Sequence, residues 1–509
     1  MKNTGAASSL SYSDSDQSTL NVPQLLDARV SSSPDFIPLC IDNRVNLSYR
    51  DWEIKSRLAA LNMLKMGGTP GARVALLFDG MDWVEYAIAY MAVLRFGGTT
   101  IHLNGHLSDA ELQRRINECG VTWIIRSKFL APPRRFEGQI STIDELCQFE
   151  NKDPLSIVVS PDSIADIRYT SGTTGPAKAY LVSHANLTFG RTLESMTALS
   201  NTSMMLVPMT LGTTTSATLL TVGLTSTVPM MVCSPDNVER MGELIQNECI
   251  DSFMITPYIA SQIVDSNLND RYDLSSIRIF ASASAPLAPT LVDALLAMVP
   301  GAQFHIACAQ SEASPALLTH IYTPERPFSV GKPSSITELK IMGDNGNELS
   351  PGELGEIWLR SPAPKRLFFN APVLNARLLD DGWYRTGDMG RINTCGEVEF
   401  FDRKVDMIKI KGERISSIAM EADLMEHPAI KEVAVVSAPH SHHNGEVVAF
   451  VVLKDPNTIH NLKVQLMENK PKAHYPDKFI SVACLPRTHN GKVLKRQLKL
   501  DTGCYSSDL

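Results

Sequence analysis

The chain has 509 residues, 44% hydrophobic and 20% charged, with a formal net charge of −8. It is too long for one core, has the make-up of an ordinary globular protein of roughly two to four structural units, and its acidic balance gives no electrostatic reason to expect a nucleic-acid partner. The 9 cysteines are scattered singly, with no C-x-x-C pair and no His/Cys cluster at zinc spacing, an odd, dispersed set that fits reduced thiols in a cytosolic protein better than a disulfide framework.

The opening MKNTGAASSLSYSDSDQST has one lysine and no apolar core segment. It does not read as a signal peptide, and residues 1–20 are expected to be a disordered leader. The chain then alternates strand and helix signals: RVALLFD (73–79) as a strand, DWVEYAIAYMAVLRFGG (82–98) as a helix with a glycine stop, and TTIHLN (99–104) as the next strand. SDAELQRRINECG (108–120) follows as a capped helix and VTWIIRS (121–127) as a strand. This rhythm predicts a doubly wound parallel sheet. A second alternation runs from about 185 to 310: ANLTFGRTLESMTAL as helix, SMMLVPM as strand, then strands TVPMMVC, IDSFMIT, IRIFASAS and AQFHIAC around the helix NVERMGELIQNEC. The most membrane-like stretch, SATLLTVGLTSTVPMMVC (216–233), carries hydroxyls, Gly223 and Pro229. It reads as a buried helix followed by a strand, not a membrane span.

From about 328 to 402 the strands shorten and turn residues multiply, with a hairpin signal at D-N-G-N, so a barrel-like antiparallel subdomain is expected there. EADLMEHPAIKEVAVVSAPHSHHNGEVVAFVVLKD starts a fresh unit: helix, strand, strand, and after residue 460 a final helix and hairpin. The predicted organisation is an α/β protein with a large domain over 21–402, a hinge at 403–405 and a small α+β domain over 406–509.

Four loops could carry chemistry, each at the end of a predicted strand. The first is TSGTTGPAK (170–178). Its small and hydroxyl residues expose backbone N–H groups and Lys178 adds a charge, a combination suited to a polyphosphate but also common in surface turns. Its spacing is not that of a Walker A loop. The second is HIACAQSEASP (305–315), where Glu312 follows a buried strand and reads either as a Mg²⁺ ligand or as a helix-capping start. In the third, DGWYRTGDMG (381–390), Asp388 could accept both hydroxyls of a ribose or simply mark a turn. The fourth, LPRTHNGKVLKRQLK (485–499), presents Lys492 at the tip of a loop. There it could deliver charge to a developing phosphate dianion, while Lys495, Arg496 and Lys499 read as a solvated helix face.

In this order, preceded by an early LSYRDW, with SASAPLAP, SVGKP and GELGEIWLRSP between them and WYRTGD within the third, the loops resemble those of the adenylate-forming superfamily of acyl-CoA synthetases, nonribosomal-peptide adenylation domains and beetle-type luciferases. The resemblance runs from about Leu47 to Leu500. It implies that Thr170, Ser171, Gly172, Thr173, Thr174, Gly175 and Lys178 grip ATP phosphates, with Ala309, Gln310 and Ser311 beside the nucleotide. It further implies Glu312 and Thr173 at magnesium, Asp388 and Arg403 at the ribose, and Lys492 as the lysine that stabilises the adenylation transition state. The family's small domain rotates about a hinge, so that a thiol can displace AMP once the acyl-adenylate has formed.

The implied function is ATP-dependent activation of a carboxylic acid with release of pyrophosphate, then thioester formation with CoA or a carrier-protein phosphopantetheine. The pocket would include Met209, Leu211, Tyr258, Ala283, Ser284, Ala285, Ala307 and Cys308, mostly apolar, and a small or aryl carboxylic acid is expected. Two alternatives stay open: an adenylating ligase with an amine acceptor, and an inactive nucleotide-binding scaffold.

Several positions depart from the family pattern. Ala179 and Tyr180 follow the loop lysine where a glycine is usual. Cys308 stands in place of the adenine-stacking tyrosine, a loss of about 1 kcal/mol in ATP binding on general aromatic magnitudes. Leu211 replaces a histidine that many acyl-CoA synthetases carry, Asp402 replaces the glycine before Arg403, and Val405 occupies the hinge position. Ala283 in place of a common glycine argues against a long straight acyl chain.

Overall fold

In the computed structural model, every residue of the helix Trp83–Arg95 except Glu85 is buried. A helix apolar all round must be covered all round, and here two sheets cover it. Its core partners include Val74, Leu76 and Phe78 from one sheet and Met205, Val207, Met230 and Val232 from the other. The structure describes residues 20–148, 150, 153–170, 177–190, 203–226, 228–283, 286–410, 413–438, 446–455, 475–488 and 491–502. The expected leader and the middle of the first loop lie outside these residues.

The seven-stranded sheet runs in the order Leu367–Phe368, Ala179–Ser183, Ile164–Tyr169, Thr99–Asn104, Arg73–Phe78, Trp123–Arg126, Gln139–Ser141. Its last five strands pair in parallel, the doubly wound arrangement that the alternating strand and helix signals predict. Near-continuous apolar runs such as Arg73–Phe78, buried at five of its six positions, suit strands covered on both faces. The helix Asp109–Cys119 starts at Ser108, whose hydroxyl accepts from the Glu111 N–H, and stops at Gly120 with φ +58°, a left-handed turn that glycine takes without strain.

The second sheet has 14 strands. Its parallel part contains Leu39–Ile41, Met230–Cys233, Met205–Pro208, Ser252–Met254, Ile279–Ser282 and Gln303–Ala309. From Gln303–Ala309 it continues antiparallel through Leu317–Ile321 and Ser329–Pro333 into Val398–Arg403, Trp383–Ile392, Gly355–Arg360 and Glu338–Met342. The D-N-G-N segment does turn the chain, with Gly343 N–H donating to Asn347 O at 2.8 Å. It returns for a single bridge, Met342 to Glu348, and the full ladder forms only with Gly355–Arg360. The expected long helix from Ala185 is short, His184–Thr188, and residues 191–200 lie outside the described part. The membrane-like stretch becomes the helix Thr214–Thr225 and the strand Met230–Cys233. No described helix is long and apolar enough to cross a membrane.

After Arg403 the chain builds a two-stranded ladder, Ile408–Ile410 with Glu413–Ile415, then the helix Ser417–Met425. A three-stranded sheet of Ile430–Ala438, Glu446–Leu453 and Lys478–Ser481 follows, and the helix Lys495–Asp501 closes the described chain. Alternation along Ile430–Ala438 serves two cores, because Val435 packs in the cluster with Met420 and Leu424 while Ala434 and Val436 pack in the cluster with Leu498. One expectation fails here: Lys495 and Lys499 are not on a solvated face. Lys495 bonds Glu421 and Ser417, and Lys499 bonds Asp406 and the Val405 carbonyl, because the terminal helix turns that side toward the small domain's own carboxylates.

Candidate functional site at the domain seam

Asp388 lies in the strand Trp383–Ile392, directly across from Arg403 in the ladder. Gly387 takes φ +69° just before it, and Asp388 N–H donates to the Thr386 hydroxyl at 3.0 Å. One carboxylate oxygen accepts from Gln310 Nε2 at 2.7 Å, and the other stands 3.5 Å from Arg403 Nε. Gln310 also donates to Thr386 O at 2.9 Å, so the end of the strand Gln303–Ala309 is tied to the Asp388 turn. Burial pushes the Asp388 carboxyl up, and Arg403, Gln310 and Lys492 oppose that push.

Glu312 follows in the same turn, and no helix starts there, so the capping reading of this carboxylate falls away. The turn is hung from behind. Arg366 Nη1 donates to Ser311 O at 2.5 Å and Arg366 Nε to Asn186 Oδ1 at 2.8 Å. Asn186 Nδ2 in turn donates to Ser314 O at 3.0 Å and Pro364 O at 2.7 Å. Burial raises the Glu312 carboxyl, against its own backbone N–H and the charges of Lys492, Arg403 and Arg366. Neither Asn186 nor Arg366 stands out in the sequence, because their partners are distant along the chain and a lone arginine in PAPKRLFF reads as surface.

Lys492 comes from the small domain. Its loop is closed by the Arg487 to Val493 bridge and by Lys492 N–H donating to the Thr488 hydroxyl at 3.2 Å. Gly491 at the tip has φ +76°, and a Cβ there would stand 3.3 Å from Tyr258 Cβ of the large domain. The Lys492 ammonium lies in the same electrostatic cluster as Arg403, Asp388, Glu312 and Cys308. Burial, then Arg403, push it down to about 8, and the two carboxylates with Cys308 oppose them. A cavity of about 460 Å³ opens along this seam, lined by Pro257, Ser261, Arg403, Glu421, Lys492 and Lys495 among others.

Of the first loop, the structure describes the two ends. Thr170 N–H donates to Lys178 O at 3.0 Å, and Lys178 N–H to the Thr170 hydroxyl at 3.1 Å. Behind them Tyr169 OH donates to Glu118 at 2.9 Å, Arg115 stacks on the Tyr169 ring at 4.2 Å, and Arg114 reaches Ala177 O at 3.3 Å. Helix Asp109–Cys119 therefore clamps both stems. The Lys178 side chain is exposed, 5.9 Å from the Phe368 ring. Ser171, Gly172, Thr173, Thr174 and Gly175 lie outside the described residues.

Among the expected pocket residues, Ala307 and Cys308 are half-buried and Ala309 exposed on the strand that leads to Gln310. Tyr258 is half-buried on the helix Pro257–Asp265, and Ala283 is exposed past the strand Ile279–Ser282. Met209 and Leu211 are packed into the large core, with Leu211 O accepting from Asn104 Nδ2 at 2.6 Å. Ser284 and Ala285 lie outside the described residues. Burial pushes the Cys308 thiol up to about 12, so it is neutral near pH 7 and a poor nucleophile.

Glu312 is a hard oxygen donor facing a cationic cluster. Among the described residues no group of three or more His, Cys, Asp or Glu side chains is placed to hold a metal ion. A single carboxylate of this kind fits Mg²⁺, which keeps water and phosphate oxygens as its other ligands.

A cleft that meets a lysine from a second body with a carboxylate–arginine–amide group and a separate acid defines an enzyme of the adenylate-forming kind. The chain belongs to the AMP-binding enzyme family, whose model matches residues 26–366, with the AMP-binding enzyme C-terminal domain matching residues 419–492. It is 26% identical to 4-coumarate–CoA ligase 1 of Arabidopsis thaliana, covering 89% of this chain and 87% of that protein. It is 27% identical to 4-coumarate–CoA ligase of Pinus taeda, covering 91% of each. Among solved structures, o-succinylbenzoate CoA synthetase of Bacillus subtilis, in complex with its acyl-adenylate, aligns with a TM-score of 0.83 at 22% identity, over 96% of this chain and 99% of that one. ATP-bound MatB of Rhodopseudomonas palustris aligns at 0.84 and 22% identity, over 96% and 100%. At these identities the structures speak for the fold, and the family model speaks for the chemistry. The chain is an AMP-forming acid–thiol ligase of the acyl-CoA synthetase type.

Proposed function

We propose that this cleft joins a small or aryl carboxylic acid to the thiol of CoA or a carrier-bound phosphopantetheine, in the cytoplasm, with Lys492, Glu312, Asp388 and Arg403 in the roles the family resemblance gives them. The observation that carries this reading is the convergence of Lys492 from the small domain with Glu312, Asp388 and Arg403 of the large one. Asp388, oriented by Gln310, is placed to accept the ribose hydroxyls, with Arg403 beside it. Thr170 and Lys178 bring the stems of the first loop together, where the phosphates would lie. Glu312 and Thr173 would hold Mg²⁺, which when bound offsets phosphate charge.

The substrate carboxylate oxygen then bonds to the α-phosphorus while the bond to pyrophosphate breaks. Two anions must meet for this to happen, and Lys492 supplies N–H donors where negative charge builds. In the second half-reaction the thiol gives up its proton, its sulfur bonds to the acyl carbon, and AMP leaves. The apolar, small-residue lining around Ala283, Ala307 and Cys308 supports a compact acid. The likeness to 4-coumarate–CoA ligases supports an aryl one.

ATP–pyrophosphate exchange with a panel of carboxylic acids, followed by CoA, carrier-protein and amine acceptors, tests the reading. Exchange with an aryl or small aliphatic acid and acid-dependent loss of CoA thiol are expected. No exchange with any acid, together with weak ATP binding, would identify a scaffold. Product with amines but not with thiols would identify an amide-forming ligase.

A further inference from the structure

Asp402 is 1% exposed, at the end of the strand Val398–Arg403 and immediately before the chain passes into the small domain. A carboxylate buried at such a place must be satisfied or it destabilises the fold, and its partners come from both domains. One oxygen accepts from Arg403 N–H at 2.7 Å, and the other from Ser417 N–H at 2.6 Å. Ser417 opens the nine-residue helix Ser417–Met425, so the carboxylate meets the positive end of the helix dipole. Lys495, from the terminal helix, adds a full charge: its ammonium bonds Ser417 Oγ at 2.7 Å and Glu421 at 2.6 Å and interacts electrostatically with Asp402. Glu421 is further fixed by Val435 N–H at 2.8 Å. A neighbouring bond, Ser416 Oγ to Phe401 O at 2.5 Å, ties the same two pieces of chain.

We propose that Asp402 is a positioning residue for adenylation: through Ser417 and Lys495 it holds the small domain in the orientation that delivers Lys492 to the cleft. The geometry makes the link short. Lys495 lies three residues after Lys492, and Arg403, adjacent to Asp402, is the residue that faces Asp388. One carboxylate thus orders the ribose side of the site with one oxygen and the lysine-bearing body with the other. A rotation that parted Ser417 and Lys495 from Asp402 would give up these bonds, so the contact favours the orientation seen here. The inference rests on the two half-reactions assigned above, and one of its readouts does not depend on catalysis.

The test uses Asp402→Gly, which removes the carboxylate, and Asp402→Asn, which keeps its shape and an acceptor but not its charge. Pyrophosphate exchange with the best acid of the panel is compared with thioester formation from supplied acyl-adenylate. Separately, Lys492 acylation by an amine reagent is followed by peptide mass spectrometry, without substrates. For Asp402→Gly, exchange is expected to fall about tenfold or more, the scale of hydrogen bonds to a charged group. Thioester formation is expected to be unchanged or faster, and Lys492 labelling several-fold faster. Asp402→Asn is expected to fall between wild type and Asp402→Gly. An equal loss in both half-reactions, or Lys492 labelling unchanged in both variants, overturns the proposal. If the wild type exchanges with no acid, the assigned reaction fails, and the labelling rates still decide whether Asp402 holds the orientation.

Discussion

Lys492 is an ammonium under opposing demands. Burial and the nearby Arg403 guanidinium push it down to about 8, while Asp388 and Glu312 favour its charged form. Below about pH 8 it is protonated and able to donate to a developing phosphate charge. As pH rises past that value in the nucleotide-free enzyme, the charge is lost. Exchange at low ATP should therefore decline above about pH 8, and saturating ATP should move the decline to higher pH, because bound phosphates favour the ammonium. The seam bears the full cost of burying this charge below about pH 8 and sheds it gradually from there up to the ordinary lysine range, as the folded protein gives up a proton that the unfolded chain still holds. Lys492→Arg, charged at all these pH values, should show a low exchange rate without the alkaline fall. Lys492→Ala should reduce exchange by about 10²–10³, the scale of one lost transition-state donor, and spare thioester formation from supplied acyl-adenylate. Rates of the two half-reactions across pH 6–10, a range set about the shifted value, check all of this. An equal loss in both halves would remove Lys492 from the adenylation step.

At the scale of elements, the strand Ile164–Tyr169 positions the first loop and carries an unusual load for a central strand. Asp166 and Arg168 are both fully buried on its inner side. Arg168 donates to Asp166 through Nε at 2.9 Å and Nη2 at 2.5 Å, and through Nη1 to Thr218 at 2.9 Å on the helix Thr214–Thr225. Thr100 donates to the other Asp166 oxygen at 2.6 Å, from the neighbouring strand. Burial alone would raise this carboxyl, but Arg168, with His102 and Thr100, holds it well below the usual range. Its contribution to stability is thus present at neutral pH and is lost only as pH falls below the ordinary carboxylate range. Arg168→Met strips a fully buried acid of its partner and should cost about 3–5 kcal/mol, read as a lowered urea midpoint with the slope unchanged. The network also marks where sequence reading stops. Alternation and length identified the strands and helices around it, because both report burial along one element. Nothing local in ADIRYT signals that its charges are buried, because Thr100 and Thr218, which bond Asp166 and Arg168, are 66 and 50 residues away. Asn186 and Arg366 escaped notice for the same reason, and Lys495 read as solvated because Glu421 and Ser417, which bond it, lie more than 70 residues away, whereas Glu312, Asp388 and Lys492 sit in loops whose local pattern already carries their chemistry.

At the scale of the whole molecule, two kinds of contact align the small body with the large one. Some contacts are ion pairs at the rim. Lys431 meets Asp265 at 3.0 Å with both side chains more than a third exposed, Lys404 meets Glu356 at 3.2 Å, and Arg414 pairs with Asp344. Exposed pairs of this type contribute about 0–1 kcal/mol, since water and salt screen them. Other contacts lie further in, among them Asp402 with Ser417 and Lys495, Ser416 with the Phe401 carbonyl, and the Lys492 loop against Tyr258. Val405, 60% exposed two residues after Arg403, offers no side-chain charge to either body. If Asp402 sets the angle between the bodies as proposed, the rim pairs add little to it, because each is weak. Lys431→Ala should accordingly change pyrophosphate exchange by less than about fivefold, the limit set by a surface pair, and leave Lys492 labelling as in the wild type. A loss approaching that of Lys492→Ala would mean that the rim, and not the buried carboxylate at residue 402, fixes the angle between the domains.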